Sequence, residues 1–109
     1  MLLILEPVRG SKANKRRPAV IVSNDSANAT AARLGRGVVT VVPMTTNLAW
    51  VYPFQVLLPA TETGLAKDSK AQAEQVRAVS VERVSQRIGA VPTDLLREID
   101  TALRLHLGL

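Results

Sequence analysis

The chain has 109 residues, 47% of them hydrophobic and 21% charged, enough for one core without covalent staples and too apolar for a disordered chain. It has no cysteine and a single histidine, His106, which excludes disulfide frameworks, thiol nucleophiles, thiolate zinc sites and two-histidine metal or acid–base pairs within one chain. The net charge of +5 arises in residues 1–50, where seven cations face two acids, and five of those seven fall between Arg9 and Arg17. Such a concentration suits a polyanion, most often nucleic acid, or forms a solvated loop. No apolar run approaches the roughly 18 residues of a membrane span. The opening MLLILEP lacks the basic flank of a signal peptide, so the expected location is the cytoplasm, away from membranes.

Leu2–Leu5 reads as a short strand ended by Glu6-Pro7. Residues 8–17 form a basic loop, and Pro18 opens a β-branched strand over 19–23. Residues 24–36 are a connection with a helical turn over 28–34. Residues 38–42 give the strongest strand signal, which Pro43 ends or bulges. After a polar-to-aromatic connection, 54–58 is a strand stopped by Pro59, and 61–67 is a loop. Ala71 and Ala73 alternate with polar residues; Val76 and Ala78 alternate in the opposite phase, which predicts a bulge near Glu74-Gln75 in one bent strand. A helical turn over 80–84 and a strand over 87–91 follow. A helix then runs from Pro92 or Thr93 to Leu107, with Leu95, Leu96, Ile99, Ala102, Leu103 and Leu107 as its apolar stripe. Asp94 and Glu98 suit its positive end, and Gly108 is a C-terminal cap. The expected architecture is one domain over 1–109, mainly β with a C-terminal helix, closed as a small barrel. Its predicted core is Val20, Val22, Val39, Val41, Val56, Leu58, Val76 and the helix stripe.

Three groups of residues carry chemistry. Arg17 is held extended by Pro18 at the root of a strand, where its planar guanidinium suits two-point binding of a phosphate or a surface ion pair. Thr45, Thr46 and Asn47, after the strongest strand, are donors to phosphate oxygens or turn formers. Trp50, Tyr52 and Phe54 alternate, so an extended chain would place them on one face. Phe54 is expected in the core, while Trp50 either stacks on bases or packs. His106 is read as structural or interfacial. Asp25, Asp68, Asp94 and Asp100 lack the paired spacing of a metal nuclease.

The segment GSKANKRRPAVIVSND at residues 10–25 resembles the toxin component of MazF/PemK/Kid toxin–antitoxin modules. Four further segments fit the same family in order: VVPMTTN at 41–47, YPFQVLL at 52–58, AEQVRAV at 73–79 and ALRLHLGL at 102–109. The resemblance spans nearly the whole chain. It implies a small SH3-like barrel of the CcdB/Kid type with a terminal helix, a homodimer, and a cognate acidic, MazE-like antitoxin. It also implies an mRNA interferase, a toxin that inhibits translation and growth by cutting single-stranded RNA (mRNA, and with it tRNA or rRNA). That cleavage is sequence-specific, needs no metal or cofactor, proceeds by 2′-hydroxyl attack, and leaves a 2′,3′-cyclic phosphate or 3′-phosphate and a 5′-hydroxyl. The family's arginine and threonine fall on Arg17 and Thr45, the expected catalytic pair. RNA contact is expected from Lys12, Asn14, Lys15, Arg16, Thr46, Asn47, Trp50, Gln75 and Arg77. The first strand is shorter than the family's Arg-Gly-Glu opening and aromatic strand, and Lys12 stands where many relatives carry an acid. The competing readings are a binding-only toxin on the same fold, as in the CcdB gyrase inhibitors, and a non-catalytic RNA-binding domain.

Overall fold

A computed structural model describes residues 2–5, 17–23 and 25–109, with side chains for 18–23, 28–30, 33–84 and 87–109. Seven strands are assigned: β1 Leu2–Leu5, β2 Arg17–Ile21, β3 Val38–Thr45, β4 Gln55–Leu58, β5 Ser69–Gln72, β6 Arg77–Ser80 and β7 Val84–Gly89. Three α-helices accompany them: α1 Asp25–Leu34, α2 Ala60–Thr63 and α3 Thr93–Leu107. Every strand pairing is antiparallel. Among the described residues no helix is long and apolar enough to cross a membrane.

The β-branched run of β3 makes it the axis of the sheet. One of its edges pairs with β2, and the other pairs first with β6, over Val38 to Val41, and then with β5, at Met44 and Thr45. The phase switch in the sequence accounts for this double partner. A 3₁₀ turn, Ala73–Gln75, interrupts the bent strand and leaves β5 and β6 on the same edge of β3. Pro43 does not end the strand as expected. It falls between the last β6 partner and the first β5 partner, where that edge has no pairing to lose. The short β1 pairs on both edges, with β2 and with β7. The order is β4-β5-β3-β2-β1-β7, with β6 also on β3. The 3₁₀ turn Val81–Arg83 alone separates β6 from β7.

Two apolar clusters cover opposite faces of β2 and β3. Val20, Val42, Met44, Val56, Leu58, Ala71, Ala73 and the α3 residues Leu95, Ile99 and Ala102 form one; Ala19, Val39, Val41 and Val79 form the other. Single-face alternation therefore undercounts the core, because Ala19 with Val20, and Val41 with Val42, are neighbours that are all fully buried. After the turn the buried phase falls on Val79, while Val76 is partly buried and Ala78 is exposed. Leu107 also leaves the predicted stripe and is exposed at the end of α3.

Helix α3 otherwise follows its sequence signals. Pro92 stands at the N-cap, and Asp94 in the first turn and Arg104 in the last complement the helix dipole. Gly108 adopts a left-handed φ of 73° and its N–H closes on the Arg104 carbonyl. Helix α1 is longer than the expected turn. The Asn28 amide donates to the Ser23 carbonyl at 2.9 Å, and Ser23 Oγ accepts from the Thr40 N–H at 3.1 Å, so a contact with β3 anchors the helix. The expected loop over 61–67 begins with α2, ended by Gly64 at φ 84°.

Candidate functional site

The antiparallel pairing of β2 with β3 puts the start of one beside the end of the other. Ala19, Val20 and Ile21 pair with Pro43, Val42 and Val41. Arg17 starts β2 two residues before Ala19, and Thr45 ends β3 two residues after Pro43, so both stand at the same end of this strand pair. On the other side of Thr45, β5 places Lys70 as its direct partner, and Lys70 in turn faces Leu57 of β4. Directly opposed residues share a face, and Met44, Ala71 and Val56 of the neighbouring row lie in the α3 cluster. The Thr45–Lys70–Leu57 row therefore lies on the face away from α3.

Thr45 is half-buried at the strand end, and its Oγ1 accepts from the Asn47 N–H at 3.2 Å. Asn47 Oδ1 accepts from the Ala49 N–H at 3.2 Å. Both side chains are thus turn formers. As the Thr45 hydroxyl accepts in this bond, its own proton stays available to a further acceptor. Thr46 and Asn47 are exposed. Arg77, opposite Val41 in β6, is exposed on the same face as Thr45, about 13 Å along β3. Gln75 is exposed in the turn that joins β5 to β6. Lys12, Asn14, Lys15 and Arg16 lie outside the described residues, and Arg17 is described by its backbone alone.

The aromatic segment is not extended. The Gln55 N–H returns to the Tyr52 carbonyl at 2.9 Å, so a turn precedes β4. Trp50 is 74% exposed. Tyr52 and Phe54 stack nearly parallel, with ring centroids 5.4 Å apart. Phe54 is half-buried and outside both clusters, because the turn delays the strand by one residue and Gln55 takes the buried position. His106 meets the Phe54 ring at 6.3 Å.

Sequence reading missed two residues beneath this segment. Lys70 is 6% exposed, and its ammonium donates to the Trp50 carbonyl. Gln55 is buried; its Oε1 accepts from the Tyr52 N–H at 3.1 Å and its Nε2 donates to Glu74 Oε2 at 2.8 Å. A lysine alternating with Ala71 signals a solvent face, yet Lys70 is buried with its ammonium on a carbonyl from the connection between β3 and β4. Among the described residues no group of three or more His, Cys, Asp or Glu could hold a metal ion.

The family model of the PemK-like, MazF-like toxins of type II toxin–antitoxin systems matches residues 1–107. The chain belongs to this family. It is 64% identical over 105 residues to endoribonuclease MazF9 of Mycobacterium tuberculosis, covering 96% of this chain and 89% of that protein. To endoribonuclease MazF6 of the same organism it is 36% identical, over 96% and 90% of the two chains. Its fold matches M. tuberculosis toxin MazF-mt6 with a TM-score of 0.79 at 20% identity, over 99% and 96% of the chains. It also matches a MazE–MazF structure from Deinococcus radiodurans with a TM-score of 0.77 at 28% identity, over 99% and 92%. The chain is thus a MazF-family endoribonuclease toxin of a type II toxin–antitoxin system, and its mainly antiparallel sheet with a C-terminal helix is the MazF-like fold.

Proposed function

We propose that this toxin cuts single-stranded RNA at specific sequences without a metal, with Arg17 and Thr45 as the catalytic pair. The observation that supports the reading is the antiparallel pairing of β2 with β3, which leaves Arg17 and Thr45 each two residues beyond the Ala19–Pro43 pair, at the same end of the two strands. In the reaction the substrate's 2′-hydroxyl oxygen bonds to the adjacent phosphorus and gives up its proton. The P–O5′ bond breaks, and the departing oxygen is protonated to a 5′-hydroxyl. The phosphorane between these states carries extra negative charge on its non-bridging oxygens. Arg17 and the Thr45 hydroxyl proton stabilise that charge. A guanidinium holds its proton too tightly to serve as a base near neutrality, so Arg17 acts chiefly on the phosphate.

Lys12, Asn14, Lys15, Arg16, Thr46, Asn47, Trp50, Gln75 and Arg77 hold the flanking nucleotides. The single domain over 1–109 is a closed SH3-like barrel. In support, β6 and β7 end the path β7-β1-β2-β3-β6 and are joined by three residues, Val81–Arg83. The toxin works in the cytoplasm as a homodimer, is neutralised by an acidic MazE-like antitoxin, and slows translation and growth when free.

The test is incubation of purified protein with a long RNA in excess chelator, followed by end-group analysis. Cyclic or 3′-phosphate and 5′-hydroxyl ends, at a rate unchanged by chelator, are expected. Cutting that requires added metal, or products with 5′-phosphates, would overturn the mechanism. RNA that is bound but left intact would favour the non-catalytic reading.

A further inference from the structure

Buried lysines are uncommon, because an ammonium taken from water needs compensation. Lys70 is buried in β5 beside Thr45, and its acceptor among the described residues is the Trp50 main-chain carbonyl. The segment between β3 and β4 is tied at both ends by other means. At its start, Asn47 and Ala49 close turns onto Thr45 and Asn47. At its end, Tyr52 is held by Gln55, and the Phe54 carbonyl accepts from the Ala73 N–H at 3.2 Å. Lys70 supplies the tie in the middle, at the main chain of Trp50. The backbone of Trp50 is fixed while its indole remains 74% exposed. A rigid, exposed aromatic beside a cationic site is a stacking platform, and fixing it before binding lowers the ordering cost of capturing a flexible strand.

We propose that Lys70 is a positioning residue for substrate RNA: it holds Trp50 so that the indole stacks on a base near the phosphate cut at Arg17 and Thr45. The inference rests on the endoribonuclease reading. It adds a residue that acts on substrate capture through Trp50, and its effect belongs to KM. The cross-strand position next to Thr45 sets the reach, because the platform and the reacting phosphate are then fixed to adjacent strands.

The chain has one tryptophan, so its fluorescence reports this loop alone. Lys70→Met keeps the apolar stem and removes the donor, whereas Lys70→Arg keeps a donor. Circular dichroism checks that each variant is folded. In free protein, Lys70→Met should raise acrylamide quenching of Trp50 and lower its anisotropy, and Lys70→Arg should restore most of both. In cleavage assays Lys70→Met should raise KM about threefold to tenfold and leave kcat within about twofold. Trp50→Ala should raise KM similarly, and adding Lys70→Met to it should add little, as expected for two residues acting through one contact. The proposal is overturned if Lys70→Met leaves quenching and KM unchanged, if kcat falls instead of KM rising, or if the two KM losses multiply. If Lys70→Met does not fold, Lys70→Gln, which is too short to keep the same tie, measured with and without Trp50→Ala decides the same coupling. Wild-type protein that cuts no RNA would refute the endoribonuclease reading, while the quenching of the free protein still decides whether Lys70 holds the loop.

Discussion

Arg17 occupies the first position of β2, directly before Pro18, and Thr45 the last of β3. A group anchored at a strand end meets a developing charge with little reorganisation. Removing such a preorganised donor costs on the order of a hundredfold or more in rate. Arg17→Ala and Thr45→Ala should therefore lose most cleavage in single-turnover assays, while circular dichroism and RNA binding stay near wild type. Lys12→Ala should instead weaken RNA binding, reducing the salt slope by about one or less, and keep turnover at saturating RNA. A near wild-type rate for Arg17→Ala would mean the site is misassigned. At this scale the position of Arg17 was readable from Pro18, which follows it at the start of β2, whereas Thr45 closes β3 two residues beyond a proline expected to end or bulge it; the roles of both rest on the family resemblance. Lys70 and Gln55 were not readable, because their partners, Trp50, Tyr52 and Glu74, lie elsewhere in the chain or across the sheet.

Helix α3 carries the element-scale argument. Its apolar stripe packs Leu95, Ile99 and Ala102 against β4 and the Ala73–Gln75 turn. Ile99 is 1% exposed, so its truncation leaves a cavity between two rigid layers. Ile99→Ala should destabilise the fold by about 2–5 kcal/mol in urea titrations. Activity per folded molecule should be retained, since the stripe lies on the face opposite the Thr45 row. A loss below about 0.5 kcal/mol would show that α3 is not seated on the sheet as described. The helix was readable from its period, its first-turn acid and its terminal glycine, all local signals. The extent of α1 was not, because the Ser23–Asn28–Thr40 contact that anchors it reaches across to β3.

Over the whole molecule, the end of α3 leaves Leu105, Leu107 and Leu109 exposed, and His106 joins that end to the half-buried Phe54, which stacks on the exposed Tyr52. This is more open apolar surface than one small sheet needs. It leads to the expectation of a two-fold homodimer, checked by light scattering; a monomer mass alone at micromolar concentration would rule it out. The uneven charge gives a second expectation. A disordered acidic peptide should compete with RNA for the face near Arg9, Lys12, Lys15 and Arg16, and its affinity should fall with added salt. Fluorescence titration that finds the two ligands bound simultaneously and independently would contradict it.

The sequence by itself determined the strands that carry β-branched runs, the α3 helix, the break between β5 and β6, and the concentration of charge before Arg17. Each follows from side chains close together along the chain: periodicity, prolines, glycines and caps act over a few residues. Only the tertiary structure decided that β2 and β3 are covered on both faces, that Pro43 lies within a strand, and that Lys70 is buried beneath Trp50. Those outcomes depend on which distant segment arrives at a given edge or face. A residue's own alternation specifies a direction but not what will occupy it. Lys70 lies on the face its alternation gives, away from the α3 cluster, and is buried there with its ammonium on the Trp50 carbonyl of the connection from β3 to β4.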